Sequence, residues 1–221
     1  MNRNSRRIQE LLLLVIACLS ITQVRAHTIN YALENLPVTD IAWFYLQLGV
    51  RHIIPEGLDH ILFIAALCML NTKWKSILWQ ATAFTAAHSI TLALSIRSII
   101  SLPVGIVEPI IALSIAFVAI ENVLVSEIKY WRLLIVFCFG LIHGLGFASV
   151  LNEIGLPGNQ FYTSVLSFNV GVELGQIVVI IAVFGFIILP FRQKDWYRKF
   201  IVFPLSFLIA AIAVYWTVQR V

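Results

Sequence analysis

The chain has 221 residues, of which 60% are hydrophobic and 12% are charged. Soluble domains contain about 45–50% apolar and about 25% charged residues, so this composition excludes a soluble globular protein and indicates a polytopic membrane protein. The formal net charge of +4 does not indicate a nucleic-acid partner, because the basic residues lie at the chain ends and in short loops between apolar segments.

The first residues resemble a secretory signal peptide, predicted over 1–26. A basic start that includes Arg3 precedes an apolar core at 11–21, and Ala26 ends a segment that a signal peptidase would read. An uncleaved signal anchor is the alternative. Cleavage after Ala26 would make His27 the first residue, whose amine and imidazole together could chelate a metal. A solvated role for His27 stays open.

The rest of the chain is predicted to be all-α. Residues 27–50 form a predicted periplasmic segment, whose aromatic-rich part at 41–49 is too short to cross a bilayer and is expected to be an interfacial helix. A single membrane domain at 51–221 follows. Six transmembrane helices are predicted in it, at 56–71, 75–96, 104–124, 131–151, 164–189 and 200–218. The first of these is shorter than the roughly 20 residues of a full span, so its start is expected to be covered by protein.

The basic residues predict the orientation. With the mature N-terminus outside, eight Lys and Arg residues fall in inner loops and three fall on the outer side. Cytoplasmic loops carry the excess of Lys and Arg in membrane proteins. We therefore expect a multi-pass protein of a bacterial-type inner membrane, with its mature N-terminus in the periplasm.

Ionisable side chains lie inside these apolar segments, where each costs roughly 2.5 kcal/mol or more. At a rise of about 1.5 Å per residue, five predicted spans place such a group in the outer half of the bilayer. Imidazoles with carboxylates suit Ni²⁺, Co²⁺ or Zn²⁺, whereas Ca²⁺ and Mg²⁺ favour oxygen ligands alone. The predicted metal ligands are Asp59, His60, His88, His143 and Glu173. Accessory roles are predicted for Glu108, Glu121, Asn122, Asn169, Gln176, His52 and His27.

Each of these residues also has a structural interpretation. His88 or His143 alone could bridge helices by a hydrogen bond, and Asp59 could cap a helix. Glu108 could interact with a helix dipole, and His52 lies near the rim, where solvation is expected. Two glycines, at 140 and 144, have the small-xxx-small spacing of close helix packing.

Several blocks together resemble the HupE/UreJ membrane proteins, in particular the HupE/UreJ-like second branch. The blocks lie at 57–63, 84–94, 107–114, 121–122, 139–148 and 168–176. The resemblance implies a hydrogenase or urease accessory-type permease with nickel or cobalt as its substrate. The nickel-permease branch is similar in having a His-Pro pair ahead of Gly-x-Asp-His. Here His52 is followed by Ile53, and Pro55 stands apart.

Three functions remain open from the sequence. A divalent-metal permease would bind its ion at the outer-half residues, with Glu121 assisting inward passage. An intramembrane metal-dependent hydrolase is the second, although the chain lacks a helical HExxH motif and an obvious nucleophile. The third is a metallochaperone or assembly partner that presents metal to a periplasmic protein.

Overall fold

The computed structural model describes residues 33, 35–70, 73–127 and 129–221. The predicted signal peptide and His27 lie outside these residues. Seven α-helices form the described part of the chain: α1 (Val38–Ile53), α2 (Leu58–Leu70), α3 (Trp74–Ile96), α4 (Val104–Leu124), α5 (Arg132–Ile154), α6 (Phe161–Val183) and α7 (Phe203–Arg220). A 3₁₀ turn at Gly158–Gln160 precedes α6, and π turns at Phe184–Ile188 and Arg198–Val202 follow α6 and precede α7.

The predicted all-α membrane fold is confirmed, and a helix occupies each of the six predicted spans. By length and composition, four helical segments of the described residues could each cross a bilayer, and the bent pair α1 and α2 makes a fifth. In α5, the apolar segment Arg132–Ala148 is shorter than a full span. The short first span is therefore the second limb of a helix pair bent by 66°.

Three helix pairs make the most extensive contacts in the bundle: α1 with α6, α3 with α5, and α4 with α7. In α1 the buried residues Ile41, Tyr45, Gly49 and Ile53 recur every fourth position, which places them on one helix face. This face packs on α6, and the Tyr45 hydroxyl donates to the Gly155 carbonyl at 2.7 Å. The segment predicted as an interfacial helix is thus a longer helix whose inner face is part of the core.

The pairing of α3 with α5 depends on the two glycines that the sequence singles out. A Cβ on Gly140 would lie 2.5 Å from the Phe84 carbonyl oxygen, and a Cβ on Gly144 would collide with the His88 carbonyl and the Thr91 hydroxyl. The predicted close packing at these glycines is confirmed. Because His88 lies at this contact, the glycines also fix how near the His88 backbone lies to α5.

The pairing of α1 with α6 gives a first testable prediction. A Cβ on Gly49 would collide with the Phe168 carbonyl, so Gly49→Ala is expected to push α1 off α6 and lower the free energy of unfolding by about 1–3 kcal/mol. Thermal unfolding in detergent measures this loss. The matched control is Gly105→Ala, because nothing lies within 4 Å of a Cβ at Gly105. An equal melting temperature for the two variants would contradict the packing assigned to α1.

Candidate metal centre

Three histidines from three helices converge near the bend between α1 and α2. His52 lies in the last turn of α1, His60 lies in the first turn of α2, and His88 lies within α3. Each offers one ring nitrogen such that the three nitrogens lie within 4.8 Å of one another. The ring centroids of His52 and His60 are 4.7 Å apart, and each lies about 6 Å from that of His88. We call these residues the histidine triad.

The bend itself brings the first two histidines together. The chain between α1 and α2 turns at 54–57, where a Cβ on Gly57 would collide with the His52 carbonyl. Glycine is therefore required for the close approach of the two helix ends. The turn converts an eight-residue separation in sequence into direct contact between His52 and His60.

The imidazole nitrogens of this region are buried without partners. Among the described residues, His52 Nε2, His60 Nε2, His143 Nε2 and both nitrogens of His88 have no hydrogen-bond partner. Buried polar atoms are nearly always hydrogen-bonded, and each one left unpaired costs about 1–3 kcal/mol. Several unpaired nitrogen lone pairs in one place fit the donor set that Zn²⁺, Ni²⁺ and Co²⁺ prefer.

A fourth histidine, His143 of α5, lies beside the triad, with its ring centroid 5.3 Å from that of His60. Its Nδ1 lies 2.8 Å from the Phe139 carbonyl oxygen. Since a carbonyl can only accept, Nδ1 carries the proton and Nε2 carries the lone pair. A backbone contact that fixes the tautomer in this way is typical of metal-binding histidines.

Aromatic rings surround the four histidines. The Phe147 ring centroid lies 3.9 Å from that of His52, and the Phe84 ring centroid lies 4.8 Å from that of His143. Phe168 packs against both His52 and His88. These rings keep bulk water away from the imidazoles, which strengthens any interaction that the imidazoles make with an ion.

A cavity of about 340 Å³ leads to the triad from the predicted outer end. His88 is fully buried and does not line this cavity, so an ion that enters meets His52, His60 and His143 first. The ionisable side chains that line the cavity are His52, Glu56, Asp59, His60, Glu108, His143 and Arg220. Three of these are carboxylates, which attract a divalent cation toward the histidines.

Asp59 forms an ion pair with Arg220 instead of joining the triad. The two Arg220 guanidinium nitrogens Nη1 and Nη2 lie 3.2 Å from Asp59 Oδ1 and Oδ2, respectively. The Arg220 guanidinium also lies 5.1 Å from the Trp216 ring centroid. Both partners line the cavity and keep about a quarter of their side-chain surface exposed. This pair therefore lies at the mouth of the route to the histidines.

The structure does not bring Glu173 into the triad. Glu173 Oε1 accepts a hydrogen bond of 2.6 Å from the Thr82 hydroxyl of α3. One turn further along α6, Gln176 Oε1 accepts from the Thr85 hydroxyl at 3.2 Å. Asn169 approaches His88, although its carboxamide oxygen has no hydrogen bond of standard geometry among the described residues. Asn169, Glu173 and Gln176, at i, i+4 and i+7 of α6, therefore lie on the helix face that contacts α3.

The interpretation of His52 as a solvated rim residue needs correction. His52 is half-buried, and its Nε2 is enclosed in the triad. Sequence reasoning gave His52 only an accessory role because it lies ahead of the first predicted span, 56–71, with Pro55 and Gly57 between it and His60. Proline and glycine favour turns, so these two residues could have predicted that the end of α1 folds back onto the start of α2.

Glu121 and Asn122 lie in a second polar network, at the opposite end of the bundle. The guanidinium of Arg132, only 1% exposed, lies 3.1 Å from Glu121 Oε2. Its Nε donates to Gln80 Oε1 at 3.1 Å, and its Nη atoms approach Asn122 Oδ1 at 3.4–3.5 Å. Asn122 in turn donates to the Ala66 carbonyl at 2.7 Å. Sequence reasoning counted Arg132 among the eight basic residues of the inner loops and missed this role.

Comparison with protein families gives one match. A family model described as HupE / UreJ protein matches residues 12–220, which is nearly the whole chain. No curated protein and no solved structure matches the chain.

Proposed function

The chain belongs to the HupE/UreJ family, and we propose that it is a permease for a divalent transition metal of the nickel and cobalt type in a bacterial-type inner membrane. The observation that supports this proposal most strongly is the convergence of His52, His60 and His88 with unpaired buried nitrogens. In the proposal, the metal ion is the transported substrate. The triad binds it, and His143 supplies a further nitrogen.

The substrate ion enters from the periplasm through the cavity that ends at the triad. Glu56 and Glu108 attract it electrostatically, and Asp59 exchanges its arginine partner for the ion. The aromatic rings around the triad favour loss of the hydration shell at the imidazoles. This donor set discriminates against Ca²⁺ and Mg²⁺, which bind oxygen.

Inward passage follows the polar row between α3 and α6. Asn169 lies beside His88, the pair of Thr85 and Gln176 comes next, and Gln80 connects to the buried Arg132. A guanidinium repels a cation, so the pair of Arg132 and Glu121 closes the inner end in this conformation. Release of the ion requires Arg132 to move, which frees the Glu121 carboxylate to accept the ion.

The direct test is metal flux into liposomes that contain the purified protein. The proposal predicts uptake of Ni²⁺, Co²⁺ or Zn²⁺ above that of empty liposomes, with Ca²⁺ and Mg²⁺ excluded. Metal that binds tightly to the protein without any flux would exclude the permease and identify a metal-binding accessory protein of the membrane.

The ion pair at the cavity mouth gives a second prediction. Arg220→Gln removes a cation that competes with the metal for Asp59, so metal affinity is expected to rise about fivefold, consistent with the small energy of a partly exposed pair. Asp59→Asn is expected to lower the affinity. Isothermal titration calorimetry measures both changes, and Arg220→Lys is the matched control that keeps the charge. A fall in the metal affinity of Arg220→Gln would contradict competition between Arg220 and the metal for Asp59.

The pH dependence gives a third prediction. Only neutral imidazole binds a metal, so protons compete with the metal increasingly as the pH falls. Because the imidazoles are buried among aromatic rings, this competition is expected to weaken uptake only toward acid pH. Initial rates of flux, measured at a constant free metal concentration, follow this change. Rates that rise toward acid pH would argue against histidine ligation.

A further inference from the structure

A second cavity lies at the end of the bundle away from the histidines. Its volume is about 780 Å³. It is formed where α3 begins, where α5 begins and where the chain continues after α6. None of its lining residues belongs to the histidine triad or its cavity. It is therefore separate from the proposed metal-binding site, and Gln80 is the lining residue that also bonds to Arg132 at the inner end of the proposed route.

The lining of this cavity is strongly basic. Lys73, Lys75, Lys129 and Arg192 all contribute to it, and the described lining residues include no Asp or Glu. Four cations around one cavity create a positive potential that favours an anionic ligand. The same potential repels a divalent cation.

Two helix N-termini add to the positive potential. Both α3 and α5 begin at the cavity, and neither has an acidic residue in its first turn or a side-chain hydrogen bond that caps it. The N-terminal end of a helix carries a partial positive charge and favours anions such as phosphate. The cavity thus combines basic side chains with two uncapped helix starts.

Aromatic and apolar residues lie among these cations. Trp74, Trp79 and Tyr130 line the cavity and are 53%, 71% and 94% exposed, and Leu133 supplies an apolar wall. Exposed Trp and Tyr residues at helix ends are typical of the membrane interface, where lipid head groups lie. A soluble anion would gain nothing from these surfaces, whereas the glycerol and first acyl carbons of a lipid would pack on them.

From this arrangement we propose that the cavity binds the phosphate head group of an anionic phospholipid. The loops at this end of the bundle and the helix ends that flank them carry eight of the 15 Lys and Arg residues, and such loops face the cytoplasm. Anionic lipids are enriched in the cytoplasmic leaflet, and basic pockets between transmembrane helices on this side bind their head groups. The lipid phosphate lies among the lysines and the two helix starts, and the acyl chains extend along Trp79 and Leu133.

The test is native mass spectrometry of the full-length protein, released from nanodiscs that contain equal amounts of phosphatidylglycerol and phosphatidylcholine. The wild type is expected to retain phosphatidylglycerol selectively. In the variant K75Q/K129Q this retention is expected to fall by about fivefold per lysine, which corresponds to about 1 kcal/mol for each basic residue near an anionic surface. The variant K75R/K129R is expected to keep the lipid.

The matched control is K194Q/K199Q, which removes the same charge at the same end of the bundle from lysines that do not line the cavity. The control is expected to retain the lipid as the wild type does. An equal loss in the control would overturn the proposal, because it would reveal nonspecific charge attraction. Equal retention of the two lipids by the wild type would also overturn it. Displacement of phosphatidylglycerol by millimolar inorganic phosphate would overturn the lipid assignment in favour of a soluble phosphate site.

Discussion

His88→Ala is expected to abolish metal flux and to weaken metal binding at least about 100-fold. His88 is fully buried, and both of its ring nitrogens lack a partner among the described residues. Loss of a partner that only orients a ligand already costs 10–100-fold in metal affinity, so loss of a ligand itself is expected to cost more. Titration with Ni²⁺, Co²⁺ and Zn²⁺ measures the affinity, and liposome uptake measures the flux.

The matched control for this variant is Thr91→Val on the same helix. Thr91 is buried nearby, but among the described residues its hydroxyl bonds only to carbonyls of its own helix, at 3.3 Å. This nearly isosteric change is expected to leave metal affinity within a factor of about two, because no ligand is lost. If a well-folded His88→Ala protein bound metal with wild-type affinity, His88 would not be a metal ligand and its role would be packing.

Arg132→Ala is expected to have the largest effect on stability, a loss of about 3–5 kcal/mol in the free energy of unfolding. The substitution leaves the Glu121 carboxylate buried without its ion-pair partner and removes the donor to Gln80. The double variant with Glu121→Leu and Arg132→Met removes both charges. It is expected to recover at least half of the loss, because the remaining amides lose neutral hydrogen bonds worth about 1 kcal/mol each.

Arg97→Met is the matched control for the arginine variants. Arg97 is exposed, and its guanidinium lies 4.3 Å from the Phe161 ring centroid. Its loss is expected to cost about 1 kcal/mol or less. Unfolding in detergent, with denaturant or heat, gives all four stabilities. If the double variant were no more stable than Arg132→Ala, the unpaired buried charge of Glu121 would not be the cause of the stability loss in Arg132→Ala.

The membrane helices were predictable from the sequence because their signal is local. A long apolar segment needs no tertiary information, and the predicted span 104–124 coincides with α4. The glycine contact between α3 and α5 was predictable for the same reason, since the spacing of Gly140 and Gly144 indicates a packing face. The sequence did not predict that α1 and α2 form one bent pair, because a 16-residue and a 13-residue helix each lack the length of a span.

The site was predictable only in part because helical rise gives depth but no lateral position. Depth grouped His60 and His88 with Asp59 and Glu173, whereas the structure pairs Asp59 with Arg220 and Glu173 with Thr82. These partners are 161 and 91 residues away along the chain, beyond any periodic pattern. His52 was misplaced for a related reason, since only the tertiary turn at 54–57 returns it to His60.

The positive-inside rule led to a wrong interpretation of Arg132. Positive residues at helix ends are usually loop cations that set orientation, and this interpretation was applied to Arg132. In the structure its side chain is 1% exposed and forms an ion pair with Glu121, so it belongs to the core at that end of the bundle. A buried arginine beside an intramembrane glutamate was visible in the sequence only as two isolated charges eleven residues apart.

In the proposed function, imidazoles of the histidine triad hold a divalent transition metal. X-ray absorption at the metal edge, on purified protein loaded with one equivalent of Ni²⁺ or Zn²⁺, tests this ligation. We expect one ion per chain with at least three imidazole nitrogens in its coordination shell, and fewer in His60→Ala. A shell of oxygen ligands alone, or a spectrum unchanged in His60→Ala, would contradict it.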